Sequence, residues 1–108
     1  MNNTRKEIIN LLNRCAIACD HCAIACLKES DVHHLTECIK LDMICASVCR
    51  TTALILESSI QENLALELCI QICKECEEEC KNHNHDHCKA CANRCNECIM
   101  ACEQALAV

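Results

Sequence analysis

Cysteine is the residue of this chain whose number and spacing could support chemistry: 16 of the 108 residues are Cys. The segment CAIACDHCAIAC spaces four of them four, three and four residues apart, and the segments CIQICKECEEEC and CANRCNECIMAC repeat that spacing. On a helix, these steps place all four side chains on one face. The members of the three copies are Cys15, Cys19, Cys22 and Cys26, then Cys69, Cys73, Cys76 and Cys80, then Cys91, Cys95, Cys98 and Cys102. Three thiol-lined helical faces indicate metal or redox chemistry.

A fourth copy carries one substitution. In CIKLDMICASVC, Cys38, Cys45 and Cys49 hold the first, third and fourth positions, and Asp42 takes the second. Cys88 lies three residues before the last copy and extends its face, which accounts for every cysteine. Because a carboxylate suits hard cations better than soft ones, Asp42 could be hydrogen-bonded or weakly liganding, and the sequence does not decide between them.

The spacing within each copy favours soft, monovalent metal ions. Residues at i and i+3 or i+4 stand about 5–6 Å apart at Cβ, whereas a disulfide needs about 3.5–4.5 Å. A two-coordinate ion can bridge such a pair, and thiolates select Cu(I) over harder ions. Zinc needs four donors in a tetrahedron, which a helical face supplies awkwardly, and iron–sulfur ligation usually uses loop cysteines. Sixteen buried thiolates also need neutralising charge, so we expect about one Cu(I) per cysteine.

Steps of four and three residues form a heptad face, so the elements that must position the thiols are helices packed around one axis. The predicted fold is all-α, an antiparallel up-down four-helix bundle with a cysteine-lined core, and residues 1–108 are expected to form one domain. Because the chain lacks Gly and Pro, polar clusters must mark the connections. The predicted connections are Lys28–Asp31, Glu57–Ser59 and Lys81–Asp86, with N-caps at Ser30 or Asp31, Ser58 or Ser59, and Asn84 or Asp86.

Alternating helix direction would give the bundle two chemically different ends. One end, called the mouth here, collects histidines beside Cys26, Cys80 and Cys88: His33, His34, His83, His85 and His87. His33 and His34 are expected to open the second helix, and His87, next to Cys88, is the best ligand candidate among the five. The other end, called the floor, collects aliphatic residues and no soft donor except the terminal Met1: Ile8, Leu12, Leu54, Leu56, Leu64, Leu66 and Leu106.

Three further candidates are assigned no ligand role. His21 follows Asp20 outside the cysteine face, so we expect it to be solvated. Met43 and Met100 flank cysteine faces and are predicted to be packing residues. The predicted metal site therefore comprises the sixteen cysteines, the five mouth histidines and Asp42.

Composition and charge exclude several classes of function. A net charge of −6 and the absence of aromatic residues argue against a nucleic-acid partner. The N-terminal segment lacks the features of a secretion signal, and we expect no membrane-spanning run, which favours the cytosol, where thiols stay reduced. The sequence has no Gly-rich phosphate loop and no nucleophile–base pair with an orienting group, so we do not expect an enzyme.

The motifs together resemble those of the cytosolic bacterial copper storage proteins, a family of cysteine-rich four-helix bundles. The resemblance covers nearly the whole chain and is carried by the CxxxCxxCxxxC copies, by HHLTECIKLD around Cys38, and by HNHDHCKAC before the last helix. It implies that the cysteines point into the bundle as Cu(I) ligands, that copper enters at the histidine end, and that the protein is a homotetramer. The histidine-rich mouth and the missing export signal match the cytosolic branch better than the secreted one.

Two other functions use the same residues. One is detoxification of Zn(II) or Cd(II) by the same thiols. The other is a redox buffer or sensor in which cysteines on different helices form reversible disulfides. The regular repeat disfavours the redox function, because a sensor needs one or two activated thiols and a resolving partner.

Overall fold

Four long helices make up most of the protein in the computed structural model, which describes residues 3–107. They are α1 (Arg5–Leu27), α2 (Thr36–Ser58), α3 (Glu62–Lys81) and α4 (Asp86–Ala107). Each helix packs against the next along the chain, and α4 packs back against α1, so the four surround one axis. Short connections make neighbouring helices antiparallel. No strand occurs between residues 3 and 107, and the predicted all-α antiparallel bundle is confirmed.

Cysteine and alanine fill most of the bundle interior. All sixteen cysteines are buried, each 1% exposed or less. Ala16 and Ala23 on α1, and Ala46 and Ala53 on α2, are buried beside the cysteine faces. Because alanine has a small side chain and a high helix propensity, it lets neighbouring helices approach closely without weakening them. The helices therefore hold the thiols around a narrow axis in a core without aromatic residues.

The helix ends show how the chain turns without glycine or proline. Thr4 caps α1 through a capping box with Glu7, in which each side chain accepts a hydrogen bond from the other residue's backbone N–H. Ser59 follows the last residue of α2 and Gln61 precedes α3, with positive φ angles of 58° and 54°. The prediction of Ser58 or Ser59 as the N-cap of α3 is therefore wrong, because Ser58 is the last residue of α2 and the turn needs the left-handed conformation at Ser59.

The other two connections also differ from the predicted ones. The α1–α2 connection extends to Leu35 and contains a short 3₁₀ helix, Val32–His34. Neither Ser30 nor Asp31 caps α2, and His33 and His34 lie in the 3₁₀ helix instead of opening α2. Asp86 is the first residue of α4, where the carbonyl of His85 accepts hydrogen bonds from the N–H groups of Cys88 and Lys89. Asn84 therefore lies before the cap position.

The floor is aliphatic but smaller than the sequence predicted. Ile8, Leu12, Leu56 and Leu66 are buried there, and Leu106 is partly buried. Leu54 and Leu64 are 69% and 66% exposed, so their assignment to the floor is wrong.

The helical period explains this error. Each of the two leucines lies two residues from a buried position, Thr52 or Leu66, and two residues correspond to about 200° around a helix. Polar contacts surround the floor: Asn3 with Gln104, and Arg5 with Glu62 and the carbonyl of Leu56. Met1 lies outside the described residues.

By length and composition alone, α1 is apolar enough to cross a membrane, contrary to the prediction that the chain has no membrane-spanning run. Nine of its residues are buried in the bundle, and these include all four of its cysteines. The buried core helix of a bundle can have the same length and hydropathy as a membrane-spanning helix, so these two quantities are weak evidence for a membrane span. The packing of α1 against α2 and α4 accounts for its apolar face.

Candidate metal site

The sixteen buried thiols form a continuous column along the bundle axis, called the thiol column here. All sixteen are free. Sulfur atoms on different helices approach closely, with Sγ–Sγ distances of 3.6 Å for Cys19–Cys91, Cys38–Cys80 and Cys45–Cys73. Within a helix, Cys22–Cys26 and Cys45–Cys49 lie 3.9 Å apart. These separations are short enough for one metal ion to contact several sulfurs.

The thiols are also arranged in overlapping groups of four. In each group the Sγ atoms all lie within 4.8 Å of one another, and each group draws on three helices. From the mouth side toward the floor, the groups are Cys19, Cys76, Cys91 and Cys95; Cys15, Cys19, Cys45 and Cys95; Cys15, Cys45, Cys49 and Cys73; and Cys49, Cys69, Cys73 and Cys98. Each group shares two thiols with the next. Neighbouring helices complete these sets, which the spacing along a single helical face did not indicate.

Asp42 lies inside the column and is completely buried. Its Oδ1 accepts hydrogen bonds from the thiols of Cys76 and Cys91, both at 3.3 Å, and of Cys80 at 3.6 Å. Burial, together with the negative charge that nearby thiolates would carry, raises the pKa of Asp42 to about 11. Asp42 is therefore hydrogen-bonded to three thiols, and its burial favours the uncharged carboxyl. These contacts agree with the hydrogen-bonded role, and the weakly liganding role stays a prediction.

At the mouth, one histidine joins the thiols. Nδ1 of His87 lies 3.7 Å from Cys22 Sγ, 3.8 Å from Cys26 Sγ and 3.6 Å from Cys88 Sγ. These four donors form a further group within 4.8 Å. Burial raises the pKa of Cys26 to about 11 and also raises the pKa of Cys88. Because the thiol forms are favoured, a metal ion must displace protons to bind here.

Two of the other mouth histidines contact carboxylates instead of thiols. His85 Nε2 lies 3.1 Å from Asp31, and His83 Nε2 lies 2.7 Å from Glu79. His33 and His34 are exposed, with ring centroids 4.1 Å apart. The structure thus brings His87 to the thiols, stacks His85 on it, pairs His83 with Glu79, and leaves His33 and His34 on the surface.

Two mouth residues were missed in the sequence. Leu35 is completely buried and belongs to the core cluster, although it lies in a connection. Glu29 lies beside both His85 and His87. The only sequence signal for Glu29 is its position in the polar cluster after α1, which was read as a connection.

Three residues that were assigned no ligand role, His21, Met43 and Met100, are exposed. His21 lies on the surface, as predicted. Met43 and Met100 are 60% and 55% exposed, so the prediction that they are packing residues is wrong. Neither thioether can reach the thiol column from the outer face of the bundle.

A bundle whose interior is a column of free thiols, with an imidazole at one end, defines a class of protein that binds several soft metal ions. The model of the copper storage protein family matches residues 1–107 of this chain. The chain belongs to that family, as its motifs predicted.

Individual proteins similar to this chain include copper storage proteins, in agreement with the family assignment. A cytosolic copper storage protein from Streptomyces lividans, solved with five coppers, has a TM-score of 0.93 and 40% identity, covering 96% of this chain and 92% of that chain. The Cu(I)-bound copper storage protein 3 of Bacillus subtilis has a TM-score of 0.88 and 38% identity, covering 95% of this chain and 97% of that chain. The cysteine-rich protein YhjQ of Bacillus subtilis is 42% identical over 95 residues, 86% of this chain and 87% of its own length.

Proposed function

We propose that this protein stores several Cu(I) ions in the cytosol, with its sixteen cysteines as the ligands. The observation that carries the proposal is the thiol column, in which successive four-thiol groups share members from the mouth side to the floor. A shared thiolate can bridge two ions, so the column can hold a chain of ions. The Cu(I)-bound and copper-loaded relatives support this cargo.

Charge sets the expected capacity. A filled column must be close to neutral, because uncompensated charges in a buried core are costly. The monovalent Cu(I) ion balances one thiolate, which gives about one ion per cysteine, or about 16 per chain. Asp42 adds no charge to this balance while it is protonated.

The mouth supplies the proposed route of uptake. His87 is the proposed imidazole ligand, because its Nδ1 faces three thiols. His85 stacks on it, and His83, His33 and His34 are the proposed outer contacts of the incoming ion at the same end of the bundle. The floor offers buried aliphatic side chains and no donor for Cu(I) at Ile8, Leu12, Leu56 and Leu66.

The wider expectations from the sequence belong to the same proposal. In this proposal, residues 1–108 form one storage domain, and the chain assembles as a homotetramer. The protein stores copper and does not act as an enzyme. Neither nucleic acid nor membrane is a partner. The family supports storage, and the cytosolic relative from Streptomyces lividans supports the compartment.

Anaerobic titration of the reduced, metal-free protein with Cu(I) tests the proposal. Bound copper per chain, measured by atomic emission after desalting, should reach about one ion per cysteine. Replacing Cys45, which belongs to two four-thiol groups, with Ser should lower this capacity by about one or two ions. The control variant Met43→Leu/Met100→Leu should retain full capacity, because both thioethers are exposed. Saturation at two to four ions would contradict storage.

The four-thiol groups also support a second candidate, storage of Zn(II) or Cd(II), since both bind four thiolates as a tetrahedron. A competition experiment between Cu(I) and Zn(II) for the same protein distinguishes the two candidate cargoes. If Cu(I) is the cargo, Cu(I) should displace Zn(II) completely from a preloaded protein, and excess Zn(II) should not displace Cu(I). The opposite exchange would favour the divalent cargo.

A further inference from the structure

Glu29 contacts two mouth histidines, His85 and His87, with one carboxylate. Its Oε2 lies 2.8 Å from His87 Nε2 and 3.3 Å from His85 Nδ1. The rings of His85 and His87 are stacked, with centroids 5.2 Å apart and planes 6° from parallel. Glu29 lies two residues after the end of α1, whereas His87 lies in the first turn of α4. The contact therefore joins the mouth ends of two helices.

A carboxylate only accepts hydrogen bonds, so the Nε2 atom of His87 must carry the proton in this contact. In a neutral imidazole, the other ring nitrogen, Nδ1, then has a free lone pair. That atom faces Cys22, Cys26 and Cys88 at 3.6–3.8 Å. Carboxylates that accept from the outer N–H of a metal-binding histidine fix its tautomer and ring orientation in the same manner.

His85 lacks this arrangement. Its Nε2 contacts Asp31 at 3.1 Å while its Nδ1 contacts Glu29. Both ring nitrogens thus face carboxylates, and neither faces a thiol. The contacts of Glu29 and Asp31 distinguish His87 as the ring with a nitrogen directed into the column.

We propose that Glu29 is a positioning residue: it fixes the Nε2–H tautomer and the orientation of His87, so that Nδ1 can hold a Cu(I) ion while the ion moves to Cys22, Cys26 and Cys88. This inference rests on the proposed function of Cu(I) storage. Glu29 itself does not contact the thiols, and its effect on copper uptake passes through the imidazole ring. The stacking with His85 restricts the same ring from its outer side.

The chain contains a matched control pair. Glu79 lies on α3, and His83 lies in the connection that follows this helix. The Glu79 carboxylate contacts His83 Nε2 at 2.7 Å. In the described part of the chain, His83 makes no thiol hydrogen bond, whereas His87 makes three. Removing Glu79 therefore breaks a similar carboxylate–imidazole pair at the same end of the bundle without changing a ring that faces the column.

The first measurement uses the metal-free protein. Long-range ¹H–¹⁵N spectra of histidine-labelled protein near pH about 7.5, where an ordinary histidine is mostly neutral, should show His87 as the Nε2–H tautomer. Glu29→Ala should give a mixture of tautomers, and Glu29→Gln, whose amide oxygen can accept the same hydrogen bond, should retain the wild-type signals. Glu79→Ala should leave the His87 signals unchanged. Circular dichroism confirms that each variant is folded.

The second measurement follows Cu(I) transfer from a chromophoric chelator by stopped flow, with the final copper content measured separately. Glu29→Ala should load about tenfold more slowly, the low end of the effect expected for losing such a partner, and should reach wild-type capacity. Glu29→Gln should restore most of the rate, and Glu79→Ala should load at the wild-type rate.

Two results would overturn the inference. One is wild-type loading and an unchanged His87 tautomer in Glu29→Ala. The other is equally slow loading in Glu29→Gln and Glu29→Ala with the tautomer unchanged in both, which would show that Glu29 attracts the ion by charge. If the wild type bound no Cu(I), the storage proposal would fail, while the tautomer spectra would still test the positioning of His87.

Discussion

At the scale of single residues, Asp42 is an ionisable carboxyl buried among the thiols of the column. It replaces a thiol in the α2 copy, and three cysteines on α3 and α4 donate to its Oδ1. A completely buried carboxylate would add negative charge to a core that metal must already neutralise. The protonated carboxyl keeps the position polar and hydrogen-bonded without adding that charge.

This protonation predicts a pH dependence of stability in the metal-free protein. The pKa of Asp42 in the folded state, about 11, exceeds the unfolded value of about 3.9. Between these values the unfolded chain releases a proton that the folded protein retains, so this residue makes stability fall as pH rises. Asp42→Asn should remove that contribution, which is at most about 1.4 kcal/mol per pH unit.

Urea unfolding of reduced apo protein at several pH values between about 5 and 8, within the interval between the two pKa values, measures the effect. The control Asp20→Asn changes a partly exposed carboxylate on α1 and should keep the wild-type slope. Equal slopes in Asp42→Asn and the wild type would show that Asp42 is ionised in the folded protein.

At the scale of helices, the two ends of the bundle differ because the cysteine faces continue into different residues. Toward the floor, α1 continues from Cys15 to Leu12, and α3 continues from Cys69 to Leu66, both buried. Toward the mouth, the first turn of α4 carries His87 and Cys88, which meet Cys22 and Cys26 of α1. The antiparallel order of the helices places each kind of residue at one end.

This asymmetry predicts separate effects on uptake and stability. His87→Ala should slow Cu(I) uptake by about tenfold, a typical loss for such a site, and should lower capacity by about one ion at most. Leu56→Ala/Leu66→Ala should lower the free energy of unfolding by about 2–5 kcal/mol per residue through lost packing, with little effect on uptake rate.

Stopped-flow loading and urea unfolding measure the two effects. The exposed pair Leu54→Ala/Leu64→Ala controls for the floor variant and should alter neither quantity much. Unchanged uptake in His87→Ala together with faster uptake in the floor variant would show that copper enters through the floor.

At the scale of the whole molecule, the bundle has a packed interior without metal. The cysteines are buried alongside Ala, Ile and Leu side chains, and uncharged cysteine behaves as a small hydrophobic residue. The reduced apo protein should therefore be helical, and copper should raise its melting temperature by mass action. Far-UV circular dichroism of the chelator-treated, reduced protein tests this, and a random-coil spectrum would contradict it.

The heptad spacing was sufficient to predict the four helices and their inward-facing cysteines, because both depend on positions within one helix. The four-thiol groups could not be predicted in this manner, since Cys15, Cys45 and Cys95 meet through the axial register of three helices. Leu54 and Leu64 were misplaced because their position along the chain was considered without their angle around the helix. Glu29 was missed because its role depends on the path of a connection.

Because successive groups share thiols, we expect the ions to be loaded and released in a defined order. Since Cys15 and Cys45 belong to one pair of neighbouring groups, and Cys49 and Cys73 to the next, an ion can advance by exchanging one sulfur at a time. With one open end, the protein would behave as a stack, returning the most recent arrivals first. Half-filling with one stable copper isotope, completing with a second, and withdrawing a fraction with a chelator should release mainly the second isotope. Equal release of both would mean that ions exchange places along the column faster than they leave.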